Sequence, residues 1–146
     1  MSEHRCGRLF LMSKTDPTQL ERDSLMKTLG IHILEASPQK VVAEMEVTPR
    51  LHQPFGYLHG GASVALAETV ASIGAYLAAP EGYTSFGMEI NANHLRSMQS
   101  GKVTATGVPL HTGRTSAVWN VEIRDEQGRL VCVSRCTLAI TPIRDS

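Results

Sequence analysis

The chain has 146 residues, of which 42% are apolar and 19% charged, a composition typical of one globular domain with a single core. Its 14 basic residues balance its 14 acidic ones, so it lacks the basic excess expected of a nucleic-acid-binding protein. The longest apolar run, residues 62–79, contains Glu68, which argues against a membrane span, and the first dozen residues lack the apolar core and cleavage site of a signal peptide.

A helix is predicted near the start of the chain. Asp16-Pro17 is a favourable helix opening, because Asp caps the helix and Pro suits its first position. The run 18–29 is amphipathic and is followed by Gly30, a typical helix end. Residues 1–15 are interpreted as an N-terminal tail and a candidate for disorder, and residues 16–146 as a single domain.

A hairpin, a loop and a long helix follow. Residues 31–36 and 41–47 alternate apolar and polar side chains around a Ser37-Pro38 turn, which indicates a β-hairpin. Residues 48–58 contain several Pro and Gly residues and are predicted to form a loop. Residues 62–79 are apolar almost all round, so we expect a helix that is buried rather than one that lies on a surface.

The rest of the chain predicts β-strands. Residues 84–95, 101–110, 116–124 and 130–142 carry β-branched or alternating side chains, and residues 125–128 form a hairpin loop between the last two. One helix wrapped by a curved antiparallel sheet is the natural way to bury this helix, which gives an α+β architecture. A single sheet covers only part of such a helix, so the sequence also predicts a dimer.

The cysteines point to a reducing environment. Cys6, Cys132 and Cys136 form an odd set without a secretory signal, which favours reduced thiols and a cytoplasmic protein. Four residues of a strand span roughly 13 Å, so Cys132 and Cys136 are too far apart for a disulfide. We expect both to be small core residues and predict no metal site.

Glu68 is the informative residue of the long helix. An ionised carboxylate buried without a partner is costly, so such groups pair, become protonated or serve a function. The helix offers no Lys or Arg. Two interpretations remain open: a carboxylate at a helix edge that reaches water, or a working carboxylate. Ser72 lies on the same helix face and either bonds the carboxylate or a water, or is a packing residue that bonds a carbonyl one turn back.

Gly60 and Gly61 stand where the helix begins. They either make a tight turn or expose backbone N–H groups to a developing oxyanion. Gly60 and Glu68 are roughly 12 Å apart along a helix, too far for one side chain to bridge, whereas two antiparallel helices related by a two-fold axis would bring them together. Gln53 is a candidate donor to a carbonyl, and His59 is a candidate for orienting a group or for holding the turn.

The run HQPFGYLHGGASVALAETVAS, residues 52–72, resembles hotdog-fold acyl-CoA thioesterases that carry their carboxylate on the central helix. The likeness extends over residues 29–141 through GMEINANHLRS (87–97), PLHTGRTSAVW (109–119) and DEQGRLVCVSR (125–135). Within the branch of 4-hydroxybenzoyl-CoA and phenylacetate-pathway thioesterases, the sequence is most similar to 1,4-dihydroxy-2-naphthoyl-CoA thioesterases of menaquinone biosynthesis and to the proofreading thioesterases of enterobactin biosynthesis.

This resemblance implies the hotdog fold and hydrolysis of acyl-CoA thioesters, with 1,4-dihydroxy-2-naphthoyl-CoA as a candidate substrate. It implies that Glu68 is the nucleophile or general base, and that the Gly60 N–H of the partner subunit binds the oxyanion. Gln53 would help to polarise the carbonyl, His59 would support the site, and Ser72 would help to place water. A homodimer is then required for the site, and a homotetramer is expected.

The resemblance also implies the binding residues. Contacts with coenzyme A are expected from two segments, which comprise Gly87, His94, Leu95, Arg96, Ser97, His111, Thr112, Gly113, Arg114, Thr115 and Ser116. The apolar residues expected to line the acyl pocket are Phe55, Tyr57, Leu58 and Val64. His94, Arg96 and Arg114 suit the phosphates of the nucleotide, although charged side chains are ordinarily solvated. No cofactor is expected beyond the coenzyme A of the substrate.

Two rival functions stay open. A hydratase or dehydratase of acyl thioesters would use the same fold, but the spacing of Gln53, His59-Gly60 and Glu68 argues against it. A non-catalytic acyl-CoA-binding module would have no need of a buried carboxylate.

Overall fold

The computed structural model describes residue 14 and residues 17–144, so Cys6, Asp16 and nearly all of the predicted tail lie outside the described residues. The helical elements, in chain order, are a 3-10 helix Pro17–Glu21, α1 Leu25–Thr28, a 3-10 helix Pro49–Leu51 and α2 Gly60–Ala78. The strands are β1 Ile31–Ala36, β2 Val41–Glu46, β3 Tyr83–His94, β4 Lys102–Thr112, β5 Ser116–Asp125 and β6 Leu130–Pro142.

The predicted helix over residues 18–29 is wrong as one continuous element. The chain forms the short 3-10 helix and then the separate single turn α1. Ser24 makes the break: its backbone is extended, at φ −164° and ψ 168°, and its hydroxyl accepts a hydrogen bond from the Lys27 N–H as an N-cap. The amphipathic spacing is shared by both pieces, and it does not show that a serine within the run starts a new helix.

The strands form one antiparallel sheet in the order β1-β2-β4-β5-β6-β3, which confirms the predicted α+β architecture. The predicted strands are confirmed, with ends that agree within two residues. Strands β3 and β1 are the two edges of this sheet, so one side of the long strand β3 has no neighbouring strand among the described residues.

Helix α2 lies across one face of the sheet and contacts all six strands. Leu66, Ala67 and Val70 on its sheet-facing side are fully buried. Gly74 packs against Trp119 so closely that a Cβ on Gly74 would lie under 3.0 Å from the indole ring, so only glycine fits there. By length and composition α2 could also cross a membrane, but the core helix of a sheet has the same properties.

The opposite side of α2 is only half-buried. Val64, Ala65, Glu68, Thr69 and Ser72 all retain partial exposure, in contrast to the fully buried residues that face the sheet. The described residues therefore do not enclose the helix.

Lys14, which lies within the predicted tail, contacts the C-terminal end of α2. Its ammonium group donates hydrogen bonds to the carbonyl oxygens of Ala79 and Pro80, and lies 5.3 Å from the centroid of the Tyr76 ring. A cation at this end of a helix complements the unpaired carbonyl groups and the helix dipole.

Cys132 and Cys136 are buried free thiols, which confirms their predicted packing role. Burial raises the pKa of Cys136 to about 11, and the carboxylates of Glu68 and Glu89 act in the same direction. Burial also raises the pKa of Cys132, so both thiols remain protonated at neutral pH.

The hairpin between β5 and β6 is held by a buried carboxylate. One Asp125 oxygen accepts hydrogen bonds from the N–H groups of Gln127 and Arg129, at 3.0 and 2.9 Å, and the other accepts from Arg129 Nε at 2.7 Å. Desolvation acts to raise the pKa of Asp125, but these hydrogen bonds and the Arg129 charge outweigh it, so the pKa is lowered.

We predict that Asp125→Asn is less stable than the wild type at pH 7 and that this difference shrinks as the pH falls below about 4. The folded state binds the Asp125 proton less readily than the unfolded state does. The carboxylate therefore stabilises the fold at pH values above the pKa of Asp125 in the unfolded state. This stabilisation is lost as the pH falls through the pKa of Asp125 in the folded state. Urea unfolding at pH 7, 5, 4 and 3 measures the difference, with the exposed Asp23→Asn as a matched control. A constant difference across this range would contradict the prediction.

Candidate functional site

The first turn of α2 leaves one backbone donor without a partner. His59 is the N-cap: its carbonyl accepts hydrogen bonds from the N–H groups of Ala62 and Ser63, and its Nδ1 accepts from the Gly61 N–H at 2.8 Å. Among the described residues, the Gly60 N–H has no acceptor. His59 therefore holds the turn, and Gly60 presents a donor at the positive end of the helix.

The Gln53 amide is fixed by its own loop. Its Oε1 accepts hydrogen bonds from the N–H groups of Phe55 and Tyr57, at 2.5 and 3.4 Å, and its backbone N–H donates to the Tyr57 carbonyl. Because backbone donors require the oxygen on that side, the Nε2 group must face away from the loop. No acceptor for Nε2 occurs in the described part of the chain, so Gln53 offers a second free donor.

These two donors border a cleft of about 440 Å³, which we call the donor cleft. Its lining residues are Gln53, Tyr57, Leu58, Gly60, Ser63, His94, Leu95, Arg96, Ser97 and Val131. Within it the His94 ring packs directly on Gly60, and a Cβ built on Gly60 would lie 2.9 Å from His94 Nε2. The predicted carbonyl donors Gln53 and Gly60 thus lie together with residues 94–97, which are predicted to contact coenzyme A.

Glu68 lies outside the donor cleft, on the half-buried side of α2. Its carboxylate contacts the backbone of β3 at Gly87, where a bulge shifts the strand register between Gly87 and Glu89. A Cβ on Gly87 would overlap the Glu68 Oε1. No hydrogen bond or ion pair to the Glu68 carboxylate is formed within the described residues. We call Glu68, Ser72 and Gly87 the carboxylate half-site.

Within the described residues the Ser72 hydroxyl bonds neither the Glu68 carboxylate nor a carbonyl one turn back, and its predicted bond to water stays a prediction. The Ser72 carbonyl accepts a hydrogen bond from the Ser85 hydroxyl at 3.0 Å, which ties α2 to β3. The helix residue that bonds a carbonyl one turn back is Thr69, through the Ala65 oxygen at 2.7 Å. The Ser72 hydroxyl stays beside Glu68 on the same helix face.

The second predicted coenzyme A segment, residues 111–116, lies at the Gly87 end of the sheet. Gly113 donates to the Ser116 carbonyl at 2.8 Å to close the turn, and the His111 ring packs on Gly113. Ala117 pairs with Leu138, which pairs with Gly87, so this turn is about 10 Å across the sheet from the carboxylate half-site.

The predicted coenzyme A residues therefore lie at two ends of the sheet: residues 94–97 line the donor cleft, whereas Gly87 and residues 111–116 lie at the other end. His94 is seven residues after Gly87, but the bulge leaves them six ladder positions apart along β3, a distance of roughly 20 Å. The predicted acyl pocket is divided in the same way. Tyr57 and Leu58 line the donor cleft, whereas Val64 lies one turn before Glu68, and Phe55 is 82% exposed. Ser63 is buried in the wall of the donor cleft, and nothing in the sequence distinguishes it from a packing residue.

Comparison with known proteins gives a consistent result. Residues 55–132 match the family model described as the thioesterase superfamily. The chain is 52% identical to a 1,4-dihydroxy-2-naphthoyl-CoA hydrolase of Listeria monocytogenes over 80% of this chain and 94% of the relative. It is 45% identical to a proofreading thioesterase EntH of Cronobacter turicensis, over 80% and 85% of the two chains. The crystal structure of a Haemophilus influenzae thioesterase superposes with a TM-score of 0.82 at 47% identity, covering 87% and 89%.

We predict that Gly87→Ala destabilises the fold by about 1–3 kcal/mol, because its Cβ would force the Glu68 side chain or β3 to move. In a Glu68→Ala background the obstructing carboxylate is absent, so the same substitution should cost little. Urea unfolding of the four proteins at one fixed protein concentration gives the coupling energy. Equal costs in both backgrounds would show that Glu68 does not rest on Gly87.

Proposed function

The chain belongs to the thioesterase superfamily of hydrolases, and on that premise we propose that it hydrolyses aromatic acyl-CoA thioesters to free acid and coenzyme A. The observation that supports this most strongly is the pair of donors in the donor cleft, Gln53 Nε2 and the Gly60 N–H, which have no acceptor among the described residues. With them stands the unpaired carboxylate of Glu68, on the helix that begins at Gly60. We propose 1,4-dihydroxy-2-naphthoyl-CoA as the first candidate substrate, because the Listeria relative at 52% identity carries that activity in its name.

The donor cleft would hold the electrophile. We propose that the thioester carbonyl oxygen accepts hydrogen bonds from the Gly60 N–H and the Gln53 Nε2, which have no other acceptor in the described chain. Such donors stabilise the negative charge that develops on the oxygen when the carbonyl is attacked. Tyr57 and Leu58 supply apolar surface beside this position for an aromatic acyl group.

Glu68 would act on the carbonyl carbon either directly or through a water molecule. Its carboxylate either attacks the carbonyl to form an anhydride, which water then hydrolyses, or removes a proton from the attacking water. In both routes the C–S bond breaks with its electron pair on sulfur, and the thiolate leaves as coenzyme A. A thiolate is a good leaving group, so we propose that no metal or further cofactor takes part. Reduced cysteines and a coenzyme A substrate are consistent with action in the cytoplasm.

We propose that two chains build each site. Gly60 and Glu68 are roughly 12 Å apart along α2, and a Glu side chain does not span that distance. The half-buried side of α2, which bears Glu68, is the surface that a second chain would cover. A two-fold axis near Val64 would set Glu68 of one helix beside Gly60 of an antiparallel helix.

The sheet supports the same symmetry. Strand β3 is a 12-residue edge, and its exposed side chains include Phe86 and Met88, at 62% and 59%. A long apolar edge strand favours pairing with another strand. If two copies of β3 paired antiparallel with Asn91 opposite Asn91, the bulge between Gly87 and Glu89 would set Gly87 of each chain opposite His94 of the other. The carboxylate half-site and residues 111–116 of one chain would then meet the donor cleft of its partner.

We predict that the wild type releases thiol from aromatic acyl-CoAs, with 1,4-dihydroxy-2-naphthoyl-CoA included in the panel. Glu68→Gln keeps the shape of the side chain but removes the nucleophile or base, so turnover should fall by about 10²–10⁴-fold. The exposed Glu35→Gln on β1 is the matched control and should retain full activity. A folded Glu68→Gln protein with wild-type turnover would refute the proposed role. Hydration of a 2-enoyl thioester without thiol release would identify a hydratase instead.

Mixing two inactive variants tests whether the site is shared between chains. Glu68→Gln disables the carboxylate half-site, and Gln53→Ala disables the donor cleft. In a dimer formed by both variants, one composite site contains both substitutions and the other contains neither. After unfolding and refolding the chains together, about half of the dimers should be mixed, so activity should return to about one quarter of the wild-type level. If each chain formed its own site, the mixture would stay as inactive as the separate variants.

A further inference from the structure

We propose that His94 is a catalytic residue, whose Nε2–H donates a hydrogen bond to the same thioester carbonyl oxygen that the Gly60 N–H binds. This rests on the proposed hydrolysis and adds a third donor to the oxyanion site. It differs from the phosphate contact that the sequence suggested for His94.

The contact between His94 and Gly60 gives the first argument. Of the His94 ring atoms, Nε2 lies nearest to the Cβ position of Gly60, at 2.9 Å, followed by Cε1 at 3.1 Å and Cδ2 at 3.4 Å. The ring therefore points its nitrogen at the start of α2 rather than its carbon edge. Any side chain at residue 60 would push the imidazole out of the cleft.

Simple geometry places Nε2 close to the free backbone donor. A Cβ position is about 2.5 Å from the backbone nitrogen of its own residue, so His94 Nε2 lies within about 5.4 Å of the Gly60 nitrogen. One oxygen that accepts two hydrogen bonds of about 2.9 Å can bridge donors up to about 5.8 Å apart. A carbonyl oxygen bound to the Gly60 N–H is thus within reach of His94.

The imidazole is free to make this bond. His94 is the last residue of β3, and its side chain is exposed to the donor cleft. Neither ring nitrogen has a hydrogen-bond partner or carboxylate within the described residues. The ring is therefore held by packing on Gly60, and both nitrogens remain available to substrate.

The chemistry needs a donor here and no proton transfer. As Glu68 or water attacks, the carbonyl π electrons move onto oxygen, and the Nε2–H and Gly60 N–H bonds strengthen. When the intermediate collapses, this electron pair re-forms the C=O bond and the C–S bond breaks, with its electrons leaving on the thiolate. His94 keeps its proton throughout. The phosphates of coenzyme A are separated from the thioester by the pantetheine arm, so donation to the thioester carbonyl is a different role from a phosphate contact.

Kinetics of His94→Phe and His94→Gln with benzoyl-CoA and benzoyl-pantetheine test the proposal. Phe keeps a flat ring on Gly60 without a donor, whereas Gln keeps an N–H donor. We expect kcat to fall by about 10- to 100-fold in His94→Phe with little change in KM, and to be partly restored in His94→Gln. The loss should be the same for benzoyl-pantetheine, which has no phosphate. His32→Ala on β1, an exposed histidine far from the cleft, should match the wild type.

Other results overturn the proposal. A His94→Phe enzyme with normal kcat but raised KM for benzoyl-CoA, and no defect with benzoyl-pantetheine, would assign His94 to phosphate binding. Equal losses in His94→Phe and His94→Gln would assign it a packing role only. The wild type is assayed in parallel: if it hydrolysed neither thioester, the proposed function itself would fail, and its turnover separates that outcome from a failure of the His94 assignment.

Discussion

The eight-residue separation of Gly60 and Glu68 on α2 is the constraint on which the rest of the proposed site depends. A rigid helix holds the free N–H and the carboxylate roughly 12 Å apart, and no side-chain motion brings them together. In the proposed mechanism one chain therefore carries both chemical functions but cannot use them on one carbonyl. A second copy that packed on the half-buried side of α2 and on the edge of β3 would bring Glu68 of one chain beside Gly60 of the other.

Close packing against glycine residues fixes the positions of three side chains. Trp119 packs on Gly74, which seats α2 in the sheet; Glu68 rests on Gly87; and His94 rests on Gly60. In each case a Cβ would occupy the space that the neighbouring side chain fills. The last two contacts belong to the carboxylate half-site and to the donor cleft, respectively. Each is therefore positioned by a glycine in one secondary structure element and a candidate site residue in another. Such contacts orient a side chain without using its hydrogen-bonding groups, which remain available to a substrate.

Much of this architecture could be predicted from the sequence, because strand alternation and an apolar helix are repeated signals. Glu68 stood out because it is the only charge in residues 62–79. The break at Ser24 could not be predicted, since its extended backbone depends on tertiary context. The same holds for His59 Nδ1, which holds the Gly61 N–H, and for the distribution of predicted residues between two distant half-sites. These features depend on side-chain directions and strand register, which residue types alone do not encode.

The half-exposed state of Glu68 in one chain has a chemical consequence. A carboxylate in contact with water is a poor nucleophile and a poor base toward a carbonyl, because its hydration shell must be removed before it reacts. Donors such as the Gly60 N–H are also weaker when water surrounds the oxygen that they bind. If a second chain and an acyl group cover α2, both effects change together, since water is excluded from the carboxylate and from the donors in one step. Assembly would then both unite the reacting groups and create the dry environment in which they act.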